Sequence, residues 1–318
     1  MANVVLQMKA ATIEEMKHYY INQLGDKLPP GSVFTAKTPK CNITAYKSGK
    51  VLFQGAGAES EAMNWQKEQI QAGPAAVKKS SVKQHSYSPP ANIGQLNIIG
   101  SDEVGTGDYF GPITVAAVYA DRSTIPLLKE LGVRDSKNIK DPEILQIAGQ
   151  LKHAVPFSLL SLDNTKYNAL QAKGMSQGKM KAYLHNLAIK KLIEKIKPVT
   201  AEGILIDQFA KPDIFFGYLK DQEMFEADNI YLSTGGESIH VSVAAASILA
   251  RAAFVKKFEE LSKQAGFVIP KGAGPAVDQA AAKLIQQKGI ASLNTFTKQH
   301  FANTEKAKKL LQKKGHMK

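Results

Sequence analysis

The chain holds 318 residues, 44% of them hydrophobic, enough for a real core in one large domain or two of unequal size. Its net charge of +13 favours a polyanionic partner, nucleic acid before an anionic membrane face, with a solvated lysine-rich surface as the plain alternative. The single cysteine, Cys41, excludes an intrachain disulfide, and no apolar run approaches the ~18 residues needed to span a bilayer. No apolar leader follows "MANVV", so a reduced, cytoplasmic setting without membrane association is expected.

Residues 1–73 read as a small α/β unit. "NVVLQM" has strand character. In "TIEEMKHYYINQLG", Thr12 and Glu15 have capping-box spacing, and Ile13, Met16, Tyr20 and Leu24 share a helical face. "SVFTAKT", "CNITAYKS" and "KVLFQGAG" read as three strands, the last two joined at Ser48-Gly49. "ESEAMNWQKEQIQAG" predicts a helix stopped by Gly73-Pro74. Residues 74–95 are polar and rich in Pro and Ser, and read as a linker. From 96 to 318 strands alternate with helices. "LNIIGSD", "ITVAAVYA", "FSLLSLD", "GILIDQF" and "NIYLST" are strand-like. "DPEILQIAGQLKHA", "GKMKAYLHNLAIKKLIEKI" and "SIHVSVAAASILARAAFVKKFEELSKQ" are helical. The alternation predicts an α/β fold around a mixed sheet. The tail from Lys298 holds seven lysines against one acid, Glu305, and predicts a basic helix, either frayed or tracking phosphates. No long heptad or large apolar stripe demands a dimer, and a monomer is expected.

Two strand-like runs end in acid. "IIGSDE" delivers Asp102 and Glu103, and "GILID" delivers Asp207. Strand ends are where α/β proteins tend to place catalytic groups. A carboxylate beside a buried strand needs a partner, which is either a lysine or arginine or a shared metal. Glu237 lies three residues after Thr234, so taken alone it reads first as a helix cap, with a further ligand as the alternative. The set is all carboxylate, with no closely spaced histidine pair and no cysteine cluster. It disfavours zinc and favours Mg²⁺ or Mn²⁺. In a basic protein such a set suits two-metal phosphodiester hydrolysis, with ions about 3.5–4 Å apart. Unrelated acids scattered by the fold are the alternative.

Gly105-Thr106-Gly107 follows the first acidic pair. It is neither a phosphate-binding Walker loop nor a complete dinucleotide fingerprint. As a backbone cradle it could hold the nucleotide beside a scissile phosphate and sense a 2′-hydroxyl; as a plain tight turn it needs no ligand.

"GSDEVGTGDYFGPITVAAVY", "RDSKNIKD", "NTKYN", "MSQGKMKAYLHNLAI", "GILIDQF", "ESIHVSVAAASILARAAF" and "KQHF" together resemble the ribonuclease HIII family, relatives of the type 2 ribonucleases H. The resemblance runs in order over residues 96–303. "NITAYKSGKVLFQGAGAESEAMNW" is similar to that family's extra domain, which resembles a half of the TATA-box-binding protein. The resemblance implies an RNase H-like fold with a mixed central sheet and flanking helices, plus a small N-terminal α+β domain. It implies cleavage of the RNA strand of RNA–DNA hybrids to 5′-phosphate and 3′-hydroxyl ends, with two Mg²⁺ or Mn²⁺ ions. The family's four acidic positions fall on Asp102, Glu103, Asp207 and Glu237. Relatives often have Asp at the fourth position, and the longer Glu237 bears on ion spacing and on ion preference. Type 2 relatives carry Gly-Arg-Gly where this chain has Thr106 in the middle, so stretches of hybrid, not single embedded ribonucleotides, are the expected substrate.

Lys137 is expected on a backbone phosphate. Asn164, Tyr167, Gln177 and Lys179 are candidates to reach sugar or phosphate, and Ser48 and Lys50 in the first domain are candidates to grip the hybrid, with a plain turn as the equal alternative. His185 and His240 read as packing or hydrogen-bonding residues, and His300 is unassigned. A non-catalytic hybrid binder and a DNA nuclease on the same fold are the competing functions.

Overall fold

The computed structural model describes residues 3–26, 28–29, 31–66 and 85–315. The chain divides into two compact units, 1–83 and 84–318.

In the first unit, β1 (Asn3–Gln7), β2 (Ser32–Lys37), β3 (Asn42–Tyr46) and β4 (Lys50–Gln54) form an antiparallel sheet in the order β1-β4-β3-β2. Alternate residues point to opposite faces of a strand. Leu6, Phe34, Ile43, Val51 and Phe53 are therefore buried together with Ile13, Met16 and Trp65. Helix α1 (Ala10–Tyr19) starts two residues before Thr12, and its N-cap, Lys9, makes no side-chain cap, so the Thr12–Glu15 capping box is not used. Helix α2 (Ala58–Met63) is shorter than the expected 59–73; residues 67–73 lie outside the described part.

The second unit is built on β5 (Ile98–Val104), β6 (Ile113–Ala120), β7 (Phe157–Leu162), β8 (Gly203–Asp207) and β9 (Ile230–Ser233). Their order is β7-β6-β5-β8-β9. The β5–β6 and β6–β7 pairs are antiparallel, and β5–β8 and β8–β9 are parallel. Every residue of β6 is buried, as a central strand covered on both faces requires. One face packs against α6 (Gln177–Ile196) through Ile99, Val115, Ile189, Leu192 and Ile204. The other packs against α4 (Asp141–Ala154) and α8 (Val241–Ala265) through Ala116, Val118, Ile144, Ile248 and Leu249. Each fully buried Val, Ile or Leu contributes about 1.5–3 kcal/mol of burial energy.

Gly100 sets how closely α8 approaches β5. A Cβ there would lie 2.3 Å from Val243 N and 2.4 Å from Ser242 Oγ. Helix α6 is capped by Ser176, whose hydroxyl accepts from Lys179 N–H at 3.2 Å. Between these elements lie α3 (Ile125–Glu130), α5 (Asn164–Ala172) and α7 (Pro212–Tyr218). The C-terminal helices α9 (Pro275–Lys288), α10 (Leu293–Phe296) and α11 (Asn303–Gly315) form a separate core with Tyr109, Phe110, Phe254 and Phe258. The described part of the tail is a helix packed on this core, with Ala307 fully buried.

Residues 85–95, expected as the end of a linker, fold against the second unit; 74–84 lie outside the described residues. The Tyr87 ring stands 4.6 Å from that of Phe216, Leu232 N–H donates to Tyr87 O at 2.9 Å, and Ile93 is buried. Among the described residues no helix is long and apolar enough to cross a membrane.

Candidate active site

The parallel pairing of β5 with β8 brings the carboxyl ends of two strands together, and with them Asp102, Glu103 and Asp207. Asp102 is 5% exposed. Burial pushes its carboxyl well above the ordinary value, and the negative charges of Asp207 and Glu103 push the same way. Asp207 is raised too, by burial and by Glu103, although Gly236 N–H donates to its Oδ1 at 2.8 Å.

Glu103 behaves in the opposite way. Burial alone would raise it, but the hydrogen bond and charge of His185 and the charge of Lys181 outweigh that and hold it at about 2. Lys181 Nζ lies 2.7 Å from Oε1 and His185 Nε2 3.1 Å from Oε2. His185 Nδ1 is anchored on Ser101 Oγ at 2.7 Å. The Phe209 ring walls this cluster, with Lys181 Nζ 4.0 Å from its centroid and the His185 ring stacked at 5.5 Å.

Glu237 lies in a short turn, Gly236–Ser238, ahead of α8. It is not the cap of that helix. The N-cap is His240, whose Nδ1 accepts from Ser242 N–H at 3.1 Å while Nε2 sits 3.2 Å from Leu96 O. Burial lowers this imidazole to about 4, which keeps it a neutral acceptor. Glu237 Oε2 accepts from Ser136 N–H at 2.7 Å, and Oε1 accepts from Ser247 Oγ at 3.2 Å. Ser247 also bears on Asp102, lowering its carboxyl against the larger effect of burial, so one α8 residue lies beside both the first and the fourth acid.

Asp135 and Glu237 bring two carboxyls close together. Lys137 N–H, donating at 3.0 Å, holds Asp135 below its ordinary value, whereas burial and the Asp135 carboxyl raise Glu237. Among the described residues no three His, Cys, Asp or Glu side chains already form a metal cage. The donor chemistry nevertheless fits a divalent cation: hard oxygens, with Asp102 and Asp207 both raised by burial and by neighbouring carboxylates, a strain that positive charge relieves.

Residues 99–304 match the family model described as Ribonuclease HII, and residues 3–78 match a domain of unknown function (DUF3378). The ribonuclease HIII of Bacillus mycoides (strain KBAB4) is 57% identical over 311 residues, covering 98% of this chain and 99% of its own. The chain belongs to the ribonuclease HIII family. It is an endoribonuclease H, a hydrolase. The ribonuclease HIII of Bacillus cereus (strain AH187) is likewise 57% identical, over 97% of this chain and 99% of its own. The crystal structure of Bst-RNase HIII in complex with Mn²⁺ is similar at 44% identity and a TM-score of 0.69, covering 98% of this chain and all of that one. Aquifex aeolicus RNase H3, at 20% identity and a TM-score of 0.52, shares the fold.

The substrate residues expected of a ribonuclease HIII separate into three groups. Lys137 is free to reach a ligand: its side chain is 73% exposed, and Nζ stands 3.9 Å from Glu237 Oε1. Ser48 and Lys50 are exposed at the β3–β4 turn of the first unit. Gln177 and Lys179 are half-buried and already engaged. Gln177 Nε2 donates to Thr106 O at 3.3 Å, and Lys179 Nζ pairs with Asp221 at 3.0 Å.

Asn164 and Tyr167 correct the expectation. Both are buried. Asn164 Nδ2 donates to Gly111 O at 2.9 Å, and the Tyr167 ring stacks on His300 at 5.5 Å, so they support the glycine-rich turn from inside. The turn itself divides. Gly105 is buried at φ +99°, and a Cβ there would lie 2.2 Å from Pro112 O, so the fold requires it. Gly107 is exposed with open space around it, and the Thr106 hydroxyl is buried without a hydrogen-bond partner.

Sequence reasoning missed Lys181, Ser247, Asp135 and Phe209. It placed His185 correctly as a hydrogen-bonding residue but not beside Glu103.

Proposed function

We propose that this ribonuclease HIII hydrolyses the RNA strand of RNA–DNA hybrids endonucleolytically, leaving 5′-phosphate and 3′-hydroxyl ends, with Asp102, Glu103, Asp207 and Glu237 as the ligands of two Mg²⁺ or Mn²⁺ ions. The observation that carries it is the cluster of buried carboxylates at the adjoining ends of β5 and β8, mutually repelling and furnished with oxygen donors alone. The Mn²⁺ in the crystallised Bst enzyme agrees with that donor set. When bound, such ions supply an activated water and charge stabilisation at the leaving oxygen.

The protein's own residues do the rest. Lys181 and His185 keep Glu103 ionised and fix its direction. Ser247 holds Glu237 through a hydroxyl hydrogen bond to its Oε1. Lys137 offers an exposed cation beside Glu237 for a strand phosphate. At Gly107 the open backbone lets a sugar approach closely enough for its 2′-hydroxyl to be sensed. Residues 1–73, with Ser48 and Lys50 at their exposed turn, add affinity for the hybrid; the net charge of +13 makes that affinity fall steeply with salt.

The test is a gel assay of the purified chain with Mg²⁺ or Mn²⁺ on an end-labelled RNA–DNA hybrid. A DNA duplex with one ribonucleotide and an all-DNA duplex run beside it. Cleavage of the hybrid alone is expected. Binding of the hybrid without cleavage under either ion would assign the chain to the non-catalytic binders instead.

A further inference from the structure

Lys298 reads as the first lysine of a basic tail, yet its side chain is completely buried. Its Nζ donates to two main-chain carbonyls, Asp108 O at 2.7 Å and Gly111 O at 2.5 Å. These carbonyls are the two ends of the bend that directly follows Gly105-Thr106-Gly107. Among the described residues no carboxylate forms an ion pair with this amine. The carboxylate of Asp108 is turned instead to Gly272 N–H, 2.6 Å from its Oδ1.

The surrounding contacts converge on the same turn. Lys298 N–H donates to Tyr109 O at 2.8 Å, Gly111 N–H donates to Phe296 O at 3.1 Å, and Phe110 pairs with Thr297 in an antiparallel bridge. Asn164 makes a second bond to Gly111 O. Two residues further on, His300 Nδ1 lies 3.4 Å from the Tyr167 hydroxyl; that hydroxyl also bonds Gln177, which holds Thr106 O. Residues 298–300 therefore brace residues 108–111, which continue directly from the glycine-rich turn, and pack on Tyr167 beside them.

An amine in this position is expensive. Burial drives it down to about 7, against 10.5 for a solvated lysine. A methionine would fill the same volume without desolvating a charge. A residue kept at a cost to stability where an apolar one would fit points to a task other than filling space. In either protonation state the amine has donors enough for both carbonyls.

We propose that Lys298 is a positioning residue for substrate recognition: by tying Asp108 O to Gly111 O it fixes the curvature of residues 108–111, and with it the backbone that Gly105-Thr106-Gly107 presents to the nucleotide beside the scissile bond. The inference rests on the reading of this chain as a hybrid nuclease. It makes the C-terminal module part of the substrate site, although no residue of that module need touch nucleic acid.

The test is steady-state kinetics of the full chain on an RNA–DNA hybrid, comparing Lys298→Met with Leu284→Ala. Leu284 is buried in the same C-terminal core and makes no hydrogen bond to the turn, so its truncation loosens that core alone. Lys298→Met should raise KM by about tenfold, as expected when a charge-assisted hydrogen bond no longer shapes the binding surface, and change kcat less than about twofold. Leu284→Ala should lower the melting midpoint and leave KM where it is. A wild-type KM in Lys298→Met overturns the proposal. So does a KM in Leu284→Ala that rises as far, since general loosening would then account for both. A wild-type chain that cleaves no hybrid overturns the functional reading and this inference with it, a result distinct from a cleaving wild type with an unaffected variant.

Discussion

Lys181 Nζ stands 2.7 Å from Glu103 Oε1, in an ion pair whose two side chains are only 9% and 10% exposed. Breaking such a pair leaves a buried charge uncompensated, at a cost of about 3–5 kcal/mol. Lys181→Met should accordingly lower the melting midpoint of the metal-free protein by on the order of 10 °C. The pH dependence has a definite sign. Glu103 is held at about 2, below its ordinary 4.5, so its stabilisation is complete above pH 4.5 and is lost as pH falls toward 2. Calorimetry in chelator should show a steep wild-type decline across that window and a shallower one in Lys181→Met.

Asp102 carries the opposite sign. Its carboxyl is raised in the folded state, so the folded chain holds a proton that the unfolded chain releases, and stability falls as pH rises above the ordinary 3.8. Ionising this buried carboxyl in the folded chain costs stability. Asp102→Asn should therefore raise the metal-free melting midpoint at pH 7 while abolishing cleavage and leaving hybrid binding largely intact. Adding Mn²⁺ should stabilise the wild type and leave Asp102→Asn nearly unmoved. Retained cleavage in the variant would remove Asp102 from the ligand set.

Ser247 lies beside two acids that are 135 positions apart in the chain numbering, donating to Glu237 and lowering the carboxyl of Asp102. Ser247→Ala removes the bond to Glu237 Oε1 and leaves the carboxylate held through Oε2 by Ser136 N–H. A lost hydrogen bond to a charged group is worth about 1.5–3 kcal/mol. A fall in kcat of roughly tenfold or more is expected, with the fold retained and with weaker Mn²⁺ binding by titration calorimetry.

Gly105 and Gly107 should respond differently to the same substitution. Gly105→Ala places a Cβ 2.2 Å from Pro112 O at φ +99°, and the protein should lose several kcal/mol, on the order of 3 or more. Gly107→Ala meets nothing within 4 Å, so its melting midpoint should match the wild type while its KM for hybrid rises. Equal loss of stability in both would mean that the turn serves the fold alone.

Much of this was legible beforehand because the second unit obeys local rules. Its sheet strands are short apolar runs bounded by acids and glycines, and the predicted span of β6, 113–120, matches the strand. Asp102 and Asp207 could be found because each ends such a run. The start of α8 was misplaced since Thr234 and Glu237 imitate a capping box, while His240 caps through a ring nitrogen that no simple pattern marks. Lys181 and Lys298 were hidden because a lysine in a basic stretch looks solvated; only tertiary burial separates these two from their neighbours. Asp135 and Ser247 carried no signal, being ordinary residues made important by what packs beside them. Asn164 and Tyr167 were read as reaching outward because their motif was visible and its direction was not.

The parallel pairing of β5 with β8 bears on how the enzyme comes into being. Asp102 and Asp207 become neighbours only after the intervening hundred or so residues have been made and folded between them, and Glu237 and Lys298 arrive later still. Contacts so distant in sequence form late, because closing long loops must precede any gain from them. A nascent chain on the ribosome is surrounded by RNA for most of its synthesis. With its acids supplied in this order, it emerges without an assembled centre until nearly all of its length is out.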